Sequence, residues 1–241
     1  TPERRLWRSL SGVRLAPYRL HVVSGVPSSI QTDEVLTGTG ALPLKVIVTG
    51  GSGLVGRGIL GLLAEDYDVL NLDLRSPRER STPYLAVDIL DPGALLRAFE
   101  GADAVVHAAA IPGPSFGTEE EILETNVEGT RNVALAAVVA RAQRFVHISS
   151  ESVLGFVFSR GGVQPSYLPV DEAHPLAPTE PYGRSKLLAE AVLASVADEM
   201  LTTVSLRPPW VWAPEEYDRY RHLTRHPEEW WDGLWAYVHR D

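Results

Sequence analysis

Tyr182 and Lys186 stand four residues apart, in a chain that has only one other lysine, Lys45, against twenty arginines. On a helix that spacing puts both side chains on one face. A tyrosine hydroxyl, with an ordinary pKa near ~10, is a poor base at neutral pH. An ammonium group beside it favours the phenolate and draws that value down. The pair can then take a proton from a substrate alcohol. Arginine at 186 would be bulkier and planar, and a poorer fit. A third group should orient the reacting oxygen. The run Arg144-Phe145-Val146-His147-Ile148-Ser149-Ser150 ends in two serines, and Ser150 is placed to hydrogen-bond that oxygen. Each feature also has a plainer reading, an exposed Tyr and Lys on a helix and a serine in a turn.

Other residues are suited to binding. Residues 45–56 read Lys-Val-Ile-Val-Thr-Gly-Gly-Ser-Gly-Leu-Val-Gly. A β-branched run, Val46 to Val48, stops at a glycine cluster, and an apolar helical pattern follows through Ile59, Leu60, Leu62 and Leu63. Gly51, Gly53 and Gly56 satisfy G-x-G-x-x-G in the strand–turn–helix context that gives this pattern meaning. The turn needs glycine dihedrals, the backbone must approach a pyrophosphate, and the last glycine lets helix and strand pack closely. Unpaired amides at the helix start then face the phosphates. Asp73 closes a second strand about 20 residues on, where a carboxylate takes ribose hydroxyls. Hydride leaving the substrate alcohol for a nicotinamide would complete the chemistry of Tyr182. Asp73 favours NAD, because a carboxylate repels a 2′-phosphate. Arg75 and Arg78 keep NADP as an alternative.

The elements that position these residues alternate from Leu42 onward. Strands are expected at Leu44–Thr49, Asp68–Leu74, Tyr84–Val87, Ala104–Ala108, Arg144–Ser149 and Thr202–Arg207. Helices are expected at Val55–Glu65, Pro92–Phe99, Glu119–Ala142 and Tyr182–Met200, the last opening after the proline-rich run from Pro175 to Pro181. Most strands are nearly continuous apolar runs, as when both faces are covered. Alternation with right-handed crossovers gives an α/β fold with a doubly wound parallel sheet. Ligands in that architecture sit beyond the carboxyl ends of the strands.

Composition narrows the function classes. The 241 residues suffice for one large domain, or for one domain and a small lobe. A net charge of −9 argues against nucleic acid or an anionic membrane as main partner. No stretch approaches about 18 uninterrupted apolar residues, so no membrane span is expected. Zero cysteines exclude disulfides and thiolate catalysis and fit a reducing compartment such as the cytoplasm. The absence of cysteine rules out a Cys-type zinc site, and no structural metal is expected.

With these residues assembled, the chain resembles the extended short-chain dehydrogenase/reductase family, in its NAD-dependent epimerase/dehydratase branch, from Leu44 to the end. The resemblance rests on Thr49-Gly50-x-x-Gly53-x-x-Gly56, Asp73, Val87-Asp88-Ile89, His107-Ala108-Ala109-Ala110, Asn126, Ser149-Ser150, Tyr182-x-x-x-Lys186 and Arg207-Pro208-Pro209, in order and spacing. It implies a Rossmann-like fold. It also implies that Ser150, Tyr182 and Lys186 form the catalytic triad. Leu54 and Val55 would line the pyrophosphate turn, Asp88 and Ile89 the adenine, and Ala108, Ala109 and Ala110 the ribose and nicotinamide side. Asn126 would lie beneath the site, and Ser149 and Pro209 would join the cofactor wall. A homodimer through the two long helices follows from the resemblance alone.

Departures from the pattern bear on substrate. Family dehydratases carry Asp-Glu after the catalytic hydroxyl. Glu151 and Ser152 stand here, which disfavours dehydration. Trp210 replaces the asparagine of many sugar-nucleotide epimerases. The expected function is an NAD(P)-dependent oxidoreductase or epimerase acting on a small carbinol or ketone, a sugar or nucleotide sugar among the options. The alternatives are a reductase of a non-sugar carbonyl compound and a non-catalytic dinucleotide-binding module.

Three regions are expected: an arginine-rich, Gly/Ser/Thr/Pro-containing and disordered extension at 1–41, a dinucleotide-binding domain at 42–212, and the start of an incomplete C-terminal substrate lobe at 213–241. By family length the chain stops inside that lobe. Trp230, Trp231 and Trp235 read as core or interface before substrate wall. Gly53→Val should block cofactor binding by filling the pyrophosphate approach. Quenching of tryptophan fluorescence by NAD measures this, and unchanged affinity would reduce the glycine turn to a structural role.

Overall fold

The computed structural model describes residues 43–78, 82–158, 164–213 and 237–239. The extension at 1–41, most of the region at 213–241, and Trp230, Trp231 and Trp235 lie outside these residues.

A six-stranded sheet is built from β1 (Lys45–Thr49), β2 (Asp68–Asp73), β3 (Tyr84–Ala86), β4 (Ala104–His107), β5 (Arg144–Ile148) and β6 (Thr202–Leu206). Every pairing is parallel, and the order is β3-β2-β1-β4-β5-β6. The chain winds one way from β1 to β3, then returns to the other side of β1 for β4 to β6. That reversal opens a crevice at the carboxyl ends of β1 and β4. The sequence expectation of a doubly wound α/β sheet matches this architecture.

Helices cover both faces. They are α1 (Leu54–Leu63), α2 (Pro92–Ala98), α3 (Glu119–Leu123), α4 (Gly129–Ala140) and α5 (Pro181–Val196). Successive residues of β1 point to opposite faces. Ile47 packs with Leu72, Leu95, Phe99, Val105 and Phe145. Val46 and Val48 pack with Leu60 and Val69 on the other side. This is why β1 reads as an unbroken apolar run. Fully burying a side chain such as Leu95 contributes about 2 kcal/mol.

Strand and helix positions agree with expectation to within a residue or two, with four differences. The helix expected through Met200 ends at Val196. Ala197 is extended, and the Asp198 carboxylate accepts the amides of Met200 (2.8 Å) and Leu201 (2.8 Å) to hold a turn instead. The helix expected over Glu119–Ala142 contains a π-helical turn at Glu124–Glu128 between α3 and α4. It starts on a capping box between Thr118 and Glu121 and stops at Arg141, whose φ is 61°. A 3-10 turn, Glu151–Leu154, follows β5. A two-stranded parallel ladder pairs β7 (Trp210–Trp212) with β8 (Tyr237–His239). No helix among the described residues is long and apolar enough to cross a membrane.

Candidate active site

The crevice is a cavity of about 1010 Å³. At one end the chain leaves β1 through Gly50, whose φ of 74° suits glycine. The Gly53 amide donates to the Gly50 carbonyl (3.0 Å) and closes the turn. A side chain at Gly50 would overlap the Ala109 backbone, and one at Gly56 would overlap the Gly50 carbonyl. At Gly53 a Cβ would meet only the Gly50 carbonyl oxygen, at 3.1 Å. Gly50 and Gly56 are thus demanded by the fold, whereas Gly53 is left open on the cavity side. No side chain caps α1, so its first amides remain free for a ligand.

Asp73 lies at the carboxyl end of β2, mostly buried, on the cavity wall. One carboxylate oxygen accepts the Ser52 amide (3.0 Å), the other the Arg75 amide (2.9 Å). The Arg75 side chain is 3.9 Å away and largely exposed, a weak solvent-screened pair. The wall continues through Asp88 and Ile89, then Ala108, Ala109 and Ala110 beyond β4. Leu54, Val55, Ser149, Ser150, Tyr182 and Pro209 also line the cavity.

Two expected site residues sit behind the wall. Lys186 is buried, and its Nζ donates to the Ile148 carbonyl (2.8 Å), whose residue lines the cavity. Asn126, in the π turn, grips both backbone polar groups of Ile111: its Oδ1 accepts the Ile111 amide (2.8 Å) and its Nδ2 donates to the Ile111 carbonyl (3.1 Å). The same Nδ2 donates to Ser185 Oγ (2.9 Å), tying the loop after β4 to α5.

Sequence reasoning missed Glu190, although it continues the helical row Tyr182–Lys186–Glu190 at spacing four. Its carboxylate accepts the Ser149 hydroxyl (2.6 Å) and both Nε (3.0 Å) and Nη2 (2.7 Å) of Arg207. It thereby fastens α5 to the ends of β5 and β6. Ser52 was also missed, since its part is played by a backbone amide. His107 and His147, adjacent in β4 and β5, stack with centroids 5.7 Å apart beneath the site. His107 bonds Thr49 and Thr130, and burial holds its pKa down at about 3, so it is a neutral structural group.

Burial dominates the ionisation of Tyr182. Burial, only partly offset by a hydrogen bond with Ser150, pushes Tyr182 up to about 12. The ammonium nitrogen lies 5.9 Å from the ring centroid and is engaged with Ile148. Burial brings Lys186 itself down to about 8, with Glu190 opposing. Tyr182 therefore rests as a neutral phenol.

The model of the NAD dependent epimerase/dehydratase family matches residues 46–227. The chain belongs to that family. Among curated relatives, L-arabinose 1-dehydrogenase (NAD(P)(+)) of Haloferax volcanii is 35% identical over 179 residues, covering 71% of this chain and 69% of that protein. Human UDP-glucose 4-epimerase is 33% identical, covering 68% of this chain and 52% of the relative. The chain spans about half the length of most of these relatives. Among solved structures, a short-chain dehydrogenase/reductase superfamily protein from Agrobacterium tumefaciens with bound NAD superposes with a TM-score of 0.64 at 29% identity, covering 76% of this chain and 59% of the other. The UDP-glucose 4-epimerase of Brucella ovis in complex with NAD gives 0.62 at 31% identity, covering 70% and 52%. Among the described residues no three His, Asp or Glu side chains cluster to hold a metal ion.

The grip of Asn126 on Ile111 can be tested directly. Asn126→Ala should destabilise the fold by about 1–3 kcal/mol, because it removes the partners of half-buried backbone groups and of the buried Ser185 hydroxyl. A urea midpoint equal to wild type would show that the clamp carries no load.

Proposed function

We propose that the cavity takes NAD and a small carbinol substrate, and that the protein moves hydride between them while Tyr182 transfers the proton. One observation carries this reading: a single cavity is lined both by the glycine turn with Asp73 and by Ser150 with Tyr182. The uncapped α1 and the space left beside Gly53 fit a pyrophosphate. Gly50, Gly53, Leu54, Val55 and Gly56 would hold it, Asp73 the ribose hydroxyls, and Asp88 and Ile89 the adenine. Ala108, Ala109, Ala110, Ser149 and Pro209 would enclose the nicotinamide half, with Asn126 supporting that wall through Ile111. Two backbone amides already orient the Asp73 carboxylate, which favours NAD, while Arg75 and Arg78 keep NADP as the alternative. When bound, the nicotinamide supplies the hydride acceptor and donor.

Ser150 orients the substrate oxygen and Tyr182 takes its proton. Positive charge brought into the cavity beside Tyr182 would draw its pKa down from about 12. Lys186, fixed at Ile148, stands behind the phenol as a further source of charge. Net oxidation and epimerisation both use this chemistry and differ in whether reduced cofactor accumulates. Trp210 on the cavity wall supports a substrate other than a nucleotide sugar, and we favour net oxidation of a sugar-like carbinol. Ser152, buried where an elimination mechanism would need a carboxylate, stands against dehydration. The domain division at about residue 212, with a substrate lobe beyond it, belongs to the same proposal.

A homodimer is supported by apolar side chains left exposed on α4 (Leu135, Val138, Val139) and α5 (Leu188). The zero-cysteine composition and net charge of −9 suit the cytoplasm and a small-molecule partner rather than nucleic acid.

Tyr182→Phe should lower turnover about 10²- to 10⁴-fold and leave NAD affinity unchanged, since only the proton carrier is lost. Reduced-cofactor absorbance and tryptophan quenching read the two quantities, and undiminished turnover would remove Tyr182 from its role. Val139→Asp should shift the sedimentation of the protein from dimer to monomer. A wild type that sediments as a monomer would dispose of the helix-pair interface.

A further inference from the structure

Glu151 follows Ser150 and opens the 3-10 turn after β5. Its amide donates to the Pro208 carbonyl (3.1 Å), which pins this turn to the segment entering β7. Its side chain lines the cavity together with Ser150, Tyr182, Phe158 and Trp210. Yet its carboxyl oxygen Oε1 is buried and has no hydrogen-bond partner. Leaving a buried polar atom unsatisfied costs about 1–3 kcal/mol. Glu151 as a whole is only half-buried and lines the cavity, so a small shift of its carboxyl would bring this oxygen to a hydrogen-bonding group of a ligand.

Desolvation pushes the Glu151 pKa up to about 8, so at neutral pH it is an uncharged acid. It then offers one O–H to donate and oxygens to accept, which is the complement of an alcohol. Among the described residues lining the cavity, the only cation is Arg75, at the far end beside Asp73. None of the described residues that line the cavity beside Glu151 is a cation. Phe158, edge-on to Tyr182 at 6.5 Å, and Trp210 supply apolar surface suited to the C–H face of a ring.

We propose that Glu151 is a specificity-determining residue that reads a hydroxyl next to the reacting carbinol of an uncharged, polyhydroxylated substrate. This rests on the carbinol-oxidising function proposed above. Ser150 and Tyr182 engage the reacting oxygen, and Glu151 engages its neighbour. The role differs from elimination chemistry, because Glu151 binds a hydroxyl and need not transfer its proton.

The test is equilibrium binding of sugars to the full chain saturated with NADH, so that no chemistry is required. Two pairs of probes are used: L-arabinose against 2-deoxy-L-ribose, and D-glucose against 2-deoxy-D-glucose. Wild type should bind the hydroxylated member of at least one pair ten-fold or more tightly than its deoxy partner. Glu151→Ala should erase that preference, and so should Glu151→Met, which keeps side-chain volume without the donor and acceptor. Glu151→Gln should keep most of it. NADH affinity, unchanged in each variant, reports an intact fold. Absence of any preference in wild type, absence of sugar binding, or a preference that survives both Ala and Met would overturn the proposal. NAD reduction followed on the same samples tests the hydride function separately. A chain that binds sugar through Glu151 but reduces no NAD would overturn that function and leave Glu151 its role.

Discussion

The Glu190 carboxylate sets the distance between α5 and the ends of β5 and β6. It takes the Arg207 guanidinium through two N–H groups and the Ser149 hydroxyl through one O–H, in a half-buried setting where such contacts are strong. One turn earlier, Lys186 reaches the Ile148 carbonyl. One turn earlier again, Tyr182 meets the cavity. Three side chains at spacing four thus convert the pitch of a helix into a fixed placement over β5 and β6. If Glu190 were displaced, Tyr182 would lose its position relative to Ser150, and the cavity would lose its shape at that end.

Burial governs the ionisation of this end of the cavity more than charge pairing does. It drives Tyr182 up, Lys186 down and Glu151 up, each toward its neutral form. A site with so little water to screen it responds strongly to any charge introduced into it. The glycine turn works differently, with backbone amides that keep their polarity at every pH.

Much of this could be seen in the sequence because it is written in local spacing. The β1 run, the glycines, Asp73 and the Tyr182–Lys186 pair each follow from a few consecutive residues and a known helical or strand period. Features set by contacts distant in sequence could not be seen. Asn126 gains its meaning from Ile111 and Ser185, neither within its own turn. The pairing of β7 with β8 joins segments more than twenty residues apart. The Tyr182 shift arises from the volume packed round it, which no spacing encodes. Glu190 is an intermediate case: its place in the helical row was legible, but its partners Ser149 and Arg207 lie just past the ends of two strands.

The π-helical turn at Glu124–Glu128 has a geometric consequence. Holding an extra residue in one turn introduces a phase slip between α3 and α4, as in a screw thread cut in two passes. The buried Ile122 of α3 and the buried stripe Val133, Ala134, Ala136 and Ala137 of α4 therefore do not share one continuous line along the cylinder. Each half can seat its own apolar stripe against the body of the protein, and the mismatch between them is absorbed where Asn126 turns inward. A continuous α-helix of the same length would have to sacrifice one of these alignments to keep the other.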